Sequence, residues 1–425
     1  MKTPHSLRTY FDLTGRNLHV DGVDVERLVS QYRSPLYVYD LSILRQKYDL
    51  LRSAMPPHLK IFYAVKSNPN PALIRVLLEK GCGFDAASIG ELYLLSRLKV
   101  PGNQILFTGP GKRDEELAFA LSLGIRSFNC ESTGEILRLN QIAEQAGLVA
   151  NIGLRIHTES AIEETTPIIG GHSIKKFGVD EAQIDGAVDL CAKLPCIRLR
   201  GVHVFNASQI LDHQALAENT RSILHTAREL ASMHHLKLDY IDVGGGLGIP
   251  YDENEKELDI VALGKLFDDI KSKESEIDWI LEPGRYLSGE CGILLTKVID
   301  VKKTSGHTFV ITDAGINTFL RPALVGQNHP VVVANRMDEE ATHPCTLVGP
   351  LCTSLDTIGN EVLLPEMHVG DTLAFFNAGA YGFTESMPYF LSHPIPAEIV
   401  IEKGLTRVSR VRQEPVDYLE SLFTI

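Results

Sequence analysis

The feature that most constrains the fold is a regular alternation of short apolar segments with amphipathic segments of helical period, from about residue 37 to 284. This alternation is typical of βα units around a parallel sheet. Helices are predicted at 71–80, 89–98 and 114–123, for example. Eight strands are predicted, at 61–65, 83–86, 105–108, 126–129, 150–156, 199–205, 240–243 and 279–281. Eight units in about 250 residues predict a (β/α)8 barrel, with a doubly wound open sheet as the alternative.

The chain after Arg285 has a different character, because short β-rich stretches separated by turn residues replace the alternation. These stretches lie at 297–302, 308–312, 330–334, 346–348, 372–377, 398–402 and 406–411. They predict a second, all-β domain over 285–425, completed by residues 1–36. The barrel domain is then 37–284.

Charge and composition exclude several classes of protein. The formal net charge of −13 argues against a nucleic-acid surface, because phosphate binding depends on clustered Lys and Arg. No apolar run reaches signal-peptide or membrane-spanning length, so a cytoplasmic protein without membrane contact is expected. The seven cysteines are odd in number and lack paired metal spacing, which predicts reduced thiols and no metal site.

Several side chains suited to chemistry follow the predicted strands, where a (β/α)8 barrel carries its active site. Lys66 follows the first strand, Asp85 ends the second, Arg155 ends the fifth and Glu282 follows the eighth. Each alone has an ordinary interpretation, since a lysine at a strand end is more often a surface residue. Together they predict a Schiff-base lysine opposite a carboxylate that could pair with a pyridinium nitrogen.

Two further motifs add to this prediction. Gly244–Gly246 follows the seventh strand, where barrels commonly bind phosphate through backbone N–H groups. The surroundings are not those of a dinucleotide fingerprint. Cys352 precedes Asp356 by four residues in the β-rich region. This spacing alone is more often structural, but beside an electron sink a thiol becomes a candidate proton donor.

Six ordered motifs in the chain resemble the fold-type III decarboxylases that depend on pyridoxal 5'-phosphate (PLP), which include diaminopimelate, ornithine and arginine decarboxylases. The resemblance covers nearly the whole chain and implies the alanine-racemase-like fold, a barrel plus a β domain. The motifs are Phe62–Asn68, Phe84–Ser88 with Glu91, Gly244–Gly246, Glu282–Arg285, Gly349-Pro350 with Cys352 and Asp356, and Gly379–Tyr381.

The resemblance implies a role for each matching residue. Lys66 would hold PLP as a Schiff base, and Cys352 would come from the partner in a head-to-tail homodimer to protonate the carbanion left by CO2. The other implied cofactor-binding residues are Asp85, Arg155, Phe205, Ser208, Gly244, Gly245, Gly246, Glu282, Gly284, Arg285 and Tyr381. The implied substrate-binding residues are Arg285, Arg321, Thr353, Asp356 and Tyr381.

The chain departs from the family pattern where the substrate's distal end would bind. Related enzymes place an acid directly after the interface cysteine to bind a distal ammonium, and here that residue is Thr353, which cannot neutralise a buried charge. Arg321-Pro322 is retained, but the tyrosine that follows it in diaminopimelate decarboxylases is Val325. The histidine that stacks on the cofactor corresponds to Phe205.

With these departures the chain resembles a specialised branch of the family that acts on carrier-linked glutamate or siderophore intermediates. The expected substrate is therefore an L-amino acid or derivative without a free distal amine, with an acyl-carrier protein as a possible partner. The alternatives are a diaminopimelate decarboxylase of lysine biosynthesis, a PLP racemase, and a non-catalytic homologue that binds a regulatory partner.

Overall fold

The computed structural model describes residues 7–13, 15–156, 176–206, 208–271 and 277–423. The chain divides into two compact units. One, here the barrel unit, comprises Tyr48–Gly248 and Leu258–Gly284. The other, here the sheet unit, comprises Met1–Lys47, Ile249–Glu257 and Arg285–Ile425.

The barrel unit is a closed barrel of eight parallel strands. Each strand pairs with the next along the chain, and the eighth closes the ring against the first, with Trp279 opposite Leu59. The strands are Leu59–Ala64, Gly83–Ala86, Ile105–Phe107, Ser127–Cys130, Ala150–Arg155, Ile197–His203, Tyr240–Asp242 and Asp278–Leu281. This arrangement confirms the predicted (β/α)8 barrel, and the doubly wound alternative is wrong because an open sheet has no such closing pair.

A helix follows each of the first seven barrel strands. Asn70 caps the first by accepting a hydrogen bond from the Ala72 N–H, and Pro71 occupies the first turn, where its missing N–H costs nothing. Ser88 and Ser132 cap the second and fourth in the same way. The seven helices are Pro71–Glu79, Ile89–Arg97, Asp114–Ser122, Thr133–Ala146, Ile184–Lys193, His213–Met233 and Ile260–Lys271.

Large rings fill the barrel interior, and glycines on neighbouring strands make room for them. A Cβ on Gly83 would lie 2.5 Å from the Phe62 ring, and one on Gly201 would lie 2.4 Å from the Tyr240 ring. The close packing of these rings is the reason that only glycine fits at both positions. The buried core cluster of the barrel is Phe62, Leu106, Tyr240 and Ile280.

The sheet unit is built on one nine-stranded, mostly antiparallel sheet. Its longest strand, Gly292–Thr304, pairs with three others along its length. The remaining strands are Leu36–Asp40, His307–Thr312, Val331–Val333, His343–Val348, Thr357–Leu364, Thr372–Phe375, Ala397–Glu402 and Leu405–Arg410. His19–Val20 and Val23–Asp24 form a separate two-stranded hairpin. The helices are Leu7–Tyr10, Val25–Tyr32, Arg285–Ser288, Arg321–Val325 and Pro415–Leu419, with Leu41–Ala54 leading into the barrel unit.

The strand Leu36–Asp40 lies inside the nine-stranded sheet, between Gly292–Thr304 and Ala397–Glu402. The predicted barrel domain, 37–284, therefore begins within this strand. All five of its residues are buried. A continuous apolar run is expected equally of a barrel strand and of a central strand in another covered sheet, so the pattern does not distinguish them. In the part of the chain that the structure describes, no helix combines the length and hydropathy needed to cross a membrane.

Candidate active site

Lys66 lies in a short 3-10 turn, Val65–Ser67, directly after the first barrel strand. Its Nζ is 3.9 Å from Asp85 Oδ2 at the end of the second strand and 5.2 Å from the centre of the Phe205 ring after the sixth. Asp85 is fully buried, and burial raises the pKa of its carboxyl above the ordinary value. The fold therefore brings three predicted site residues together at the C-terminal ends of the strands.

Glu282, at the end of the eighth strand, belongs to a buried cluster with His203 and Asp242. Glu282 Oε2 is 3.4 Å from His203 Nε2, and one ligand atom from each of the three residues lies within 4.8 Å of the others. Burial and the Glu282 charge raise the pKa of Asp242 well above its ordinary value, and burial lowers the pKa of His203. Burial opposes ionisation of Glu282, but the interactions with His203, Lys66 and Asp242 together outweigh burial and lower the Glu282 pKa.

These directions assign the charge within the cluster. At neutral pH they favour an ionised Glu282, a protonated Asp242 and a neutral His203. Imidazole and two carboxylates are also a donor set that metals accept. Sequence reasoning gave neither His203 nor Asp242 a role. The sequence contained a signal for both, because each lies within two residues of the end of a predicted strand, 199–205 or 240–243. In the structure each is the last residue of its strand.

The glycine run after the seventh strand adopts a conformation that requires glycine. Gly244 has φ +69° and Gly246 has φ +94°. The Gly244 N–H donates to Asp242 Oδ1 at 3.0 Å, and its carbonyl accepts from the Glu282 N–H at 2.8 Å. A Cβ on Gly245 would lie 2.3 Å from the Glu282 carbonyl oxygen. The run is therefore tied to the ends of both the seventh and the eighth strand.

These features fit PLP. Glu282 Oε1 is buried and accepts no hydrogen bond from the described residues, so it can receive one from a pyridinium N–H. The glycine run offers backbone N–H groups to a phosphate at the position where barrels bind one. Gly284 lies against Ser67, since a Cβ added to Gly284 would be 3.0 Å from the Ser67 Cβ. The segment that carries Glu282 therefore adjoins the turn that carries Lys66.

Two other predicted cofactor residues lie in the same unit with different neighbours. Arg155 donates to Glu131 Oε1 at 2.8 Å, and its guanidinium lies 4.7 Å from the centre of the Phe177 ring. Its contacts are thus with an acid that the sequence analysis missed, and its cofactor role stays a prediction. Ser208 is half-buried and follows the sixth strand, two residues before Ile210, which donates to Gly246 O at 2.9 Å.

The sheet unit brings together Arg285, Arg321 and Tyr381. The Tyr381 ring centre lies 4.9 Å from the Arg285 guanidinium and 4.8 Å from that of Arg321. Arg285 is buried and donates to Tyr251 Oη at 2.8 Å. Arg321 pairs with Glu385 at 2.9 Å. Sequence reasoning missed Tyr251 and Glu385, since no motif marks either residue.

Cys352, Thr353 and Asp356 share one loop of the sheet unit. Asp356 is buried and accepts the N–H groups of Ile316 and Leu351, one on each oxygen and both at 2.7 Å. It therefore orders the loop, and its predicted contact with substrate stays untested. Thr353 is half-buried, and Cys352 is the one exposed cysteine among the seven.

The chain matches known proteins over nearly its full length. Residues 41–289 match the family described as pyridoxal-dependent decarboxylase, pyridoxal binding domain. The diaminopimelate decarboxylase of Methanothermobacter thermautotrophicus is 36% identical over 412 residues, 95% of each chain. The L-glutamyl-[BtrI acyl-carrier protein] decarboxylase of Niallia circulans is 29% identical over 399 residues, 91% of this chain and 93% of that one.

Solved structures agree with the sequence comparison. The diaminopimelate decarboxylase of M. jannaschii in complex with L-lysine has a TM-score of 0.89 at 28% identity, covering 99% of both chains. These relatives are named decarboxylases, which confirms the predicted reaction class over the racemase and the non-catalytic homologue. The match spans more than half of the chain and includes the segment with Lys66 and Glu282. The chain therefore belongs to the pyridoxal-dependent decarboxylases, and it is a carboxy-lyase whose cofactor is pyridoxal 5'-phosphate.

Proposed function

We propose that this decarboxylase removes the α-carboxylate of an L-amino acid whose distal group is uncharged, with its side-chain carboxyl tethered to an acyl-carrier protein. The observation that carries the proposal is Thr353, directly after Cys352, where related enzymes have an acid for a distal ammonium. Without that acid, a buried ammonium would cost several kcal/mol. The carrier-dependent relative from Niallia circulans supports the proposal.

The barrel residues have defined tasks in this proposal. Bound PLP supplies a ring that accepts the electron pair released when CO2 leaves. Lys66 holds the cofactor, and Glu282 keeps the pyridine nitrogen protonated. Hydrogen bonds to Glu282 from His203 and Asp242 lower the Glu282 pKa and so favour its ionised form. Phe205, whose ring centre is 5.2 Å from Lys66 Nζ, would stack on the cofactor ring in place of the family's histidine.

Phosphate binding is assigned to the glycine run Gly244–Gly246, in which the Gly244 N–H is already bonded to Asp242, with Ser208 and Arg285 nearby in the family pattern. The α-carbon must then receive a proton. Cys352 of the partner subunit is the proposed donor, so the active enzyme is a head-to-tail homodimer. A thiol can act as a general acid that donates its proton to the α-carbon.

Diaminopimelate decarboxylation is the second candidate. It is favoured by the names of the relatives at 34% and 36% identity and by the retained Arg321-Pro322. It is opposed by Thr353 and by Val325, which replace an acid and a tyrosine of that enzyme's pattern.

A CO2-release screen of the PLP-loaded protein separates the two. It compares meso-diaminopimelate, L-lysine, L-ornithine, free L-glutamate and L-glutamate esterified to a carrier protein. We expect turnover of the carrier-linked substrate and little of the diamino acids. Lys66→Ala is the control, and it should lack both CO2 release and the visible absorbance of lysine-bound PLP. Rapid turnover of meso-diaminopimelate would establish the second candidate.

A further inference from the structure

Glu385 neutralises an arginine that the family uses for substrate recognition. Arg321 Nη1 is 2.9 Å from Glu385 Oε2 and 3.2 Å from Oε1. The Arg321 side chain is only 9% exposed and that of Glu385 is 23% exposed. The ion pair is therefore largely shielded from bulk water. Its electrostatic attraction is stronger than that of an ion pair on the surface.

Hydrogen bonds of the neighbouring Ser386 hydroxyl hold the turn that bears Glu385 in this position. It ends the 3-10 turn Phe383–Glu385, and the next residue, Ser386, accepts the Leu320 N–H at 3.2 Å and donates to Gly382 O at 2.9 Å. Leu320 directly precedes Arg321. The turn bearing the carboxylate is thus bonded to the start of the helix bearing the guanidinium, and the pair is preorganised.

The ion pair adjoins a second arginine and a tyrosine. The Tyr381 ring centre is 4.8 Å from the Arg321 guanidinium and 4.9 Å from the Arg285 guanidinium, and Tyr381 has φ +55°, an uncommon value for a bulky residue. Burial opposes the charge of Arg285, but Tyr251, Tyr381 and Glu385 together raise its pKa. The charge of Glu385 therefore acts on both arginines that the resemblance assigns to the substrate.

We propose that Glu385 is a specificity-determining residue, which occupies at Arg321 the place of a substrate's distal carboxylate and so excludes substrates that carry one. The inference rests on the proposed function and on the family pattern, in which the Arg-Pro pair that corresponds to Arg321-Pro322 helps to clamp the substrate's distal carboxylate. An incoming carboxylate has to displace Glu385 and leave it unpaired beside a second negative charge. An amide, ester or thioester carries no such negative charge. A distal ammonium is not favoured at the other position, because Thr353 provides no negative charge to pair with it.

L-Glutamate and L-glutamine are the appropriate probes, because they have the same shape and differ by one distal charge. Their dissociation constants are measured through the change in PLP absorbance on binding, alongside CO2 release. In Glu385→Gln the Arg321 guanidinium loses its partner. We expect the affinity for L-glutamate relative to L-glutamine to rise by about tenfold or more, as for a charged hydrogen bond. Glu340→Gln, which removes an exposed acid of the same unit, should leave the ratio unchanged.

Arg321→Gln is the reciprocal variant, and it decides the question alone if Glu385→Gln does not fold. It leaves the Glu385 carboxylate unpaired, so L-lysine should bind more tightly relative to L-glutamine, again by about tenfold. Unchanged ratios in the folded, PLP-loaded variants would overturn the role of Glu385. Rapid CO2 release from meso-diaminopimelate by the unmodified enzyme would instead overturn the proposed function, so the two failures are distinguishable.

Discussion

The carboxyl of Asp242 holds its proton because it is buried and because Glu282 lies beside it. The unfolded chain ionises this group near its ordinary pKa of 3.8, whereas the folded chain does not. As the pH rises above 3.8, ionisation stabilises only the unfolded state. The wild-type protein therefore pays a stability penalty that grows with pH until the folded pKa is reached.

Asp242→Asn removes this penalty, because an amide cannot ionise. We expect the difference in melting temperature, variant minus wild type, to be larger at about pH 8 than at about pH 5. Differential scanning calorimetry at the two pH values measures it. Asp189→Asn, at an exposed helix position, is the matched control and should show no such trend. A constant difference would mean that Asp242 is ionised in the folded protein.

Cys352 is the residue on which the proposed proton transfer depends. Replacing it by alanine should lower formation of the amine product by about 10²–10⁴-fold, the usual contribution of a general acid, without changing PLP absorbance. Product is measured by chromatography under steady-state conditions. Cys196→Ala removes a half-buried thiol outside the site and should retain full activity. A Cys352→Ala enzyme with wild-type turnover would show that another group protonates the α-carbon.

At the scale of elements, the barrel depends on close approach between strands. Gly201→Ala places a Cβ 2.4 Å from the Tyr240 ring, so either the ring or a strand must move. We expect a loss of about 1–3 kcal/mol, as for other overpacked cores, measured as a lower urea midpoint. Gly186→Ala is the matched control in the helix Ile184–Lys193, where nothing lies within 4 Å. It should be neutral or stabilise by about 0.5–1 kcal/mol.

At the scale of the whole molecule, the proposed homodimer builds each active site from two chains. Lys66→Ala and Cys352→Ala should each be inactive alone. Mixed dimers contain one site with both native residues, so random mixing should restore about a quarter of wild-type activity. The mixture is refolded together and assayed for CO2 release. No recovery in a mixture shown to contain mixed dimers would place Lys66 and Cys352 in sites of the same chain.

The barrel was predictable because strands and helices have different hydrophobic periods. Each stretch of sequence therefore indicates whether it forms a strand or a helix. The helix that begins at Pro71 was predicted to within one residue of its end, because proline and the Asn70 cap mark its start. The strand Leu36–Asp40 could not be assigned to its sheet, because local pattern contains no information about which distant strand it pairs with.

By itself, the sequence determined the parallel barrel, the β-rich region, the family and the positions of Lys66, Glu282 and the glycine run, since these depend on local periodicity and contiguous motifs. Only the tertiary structure decided which charges meet. It put His203 and Asp242 beside Glu282, which sets the protonation of that cluster, and it paired Arg321 with Glu385 across 64 positions of the chain. Burial and distance determine such charge states, and both arise only when remote segments pack together.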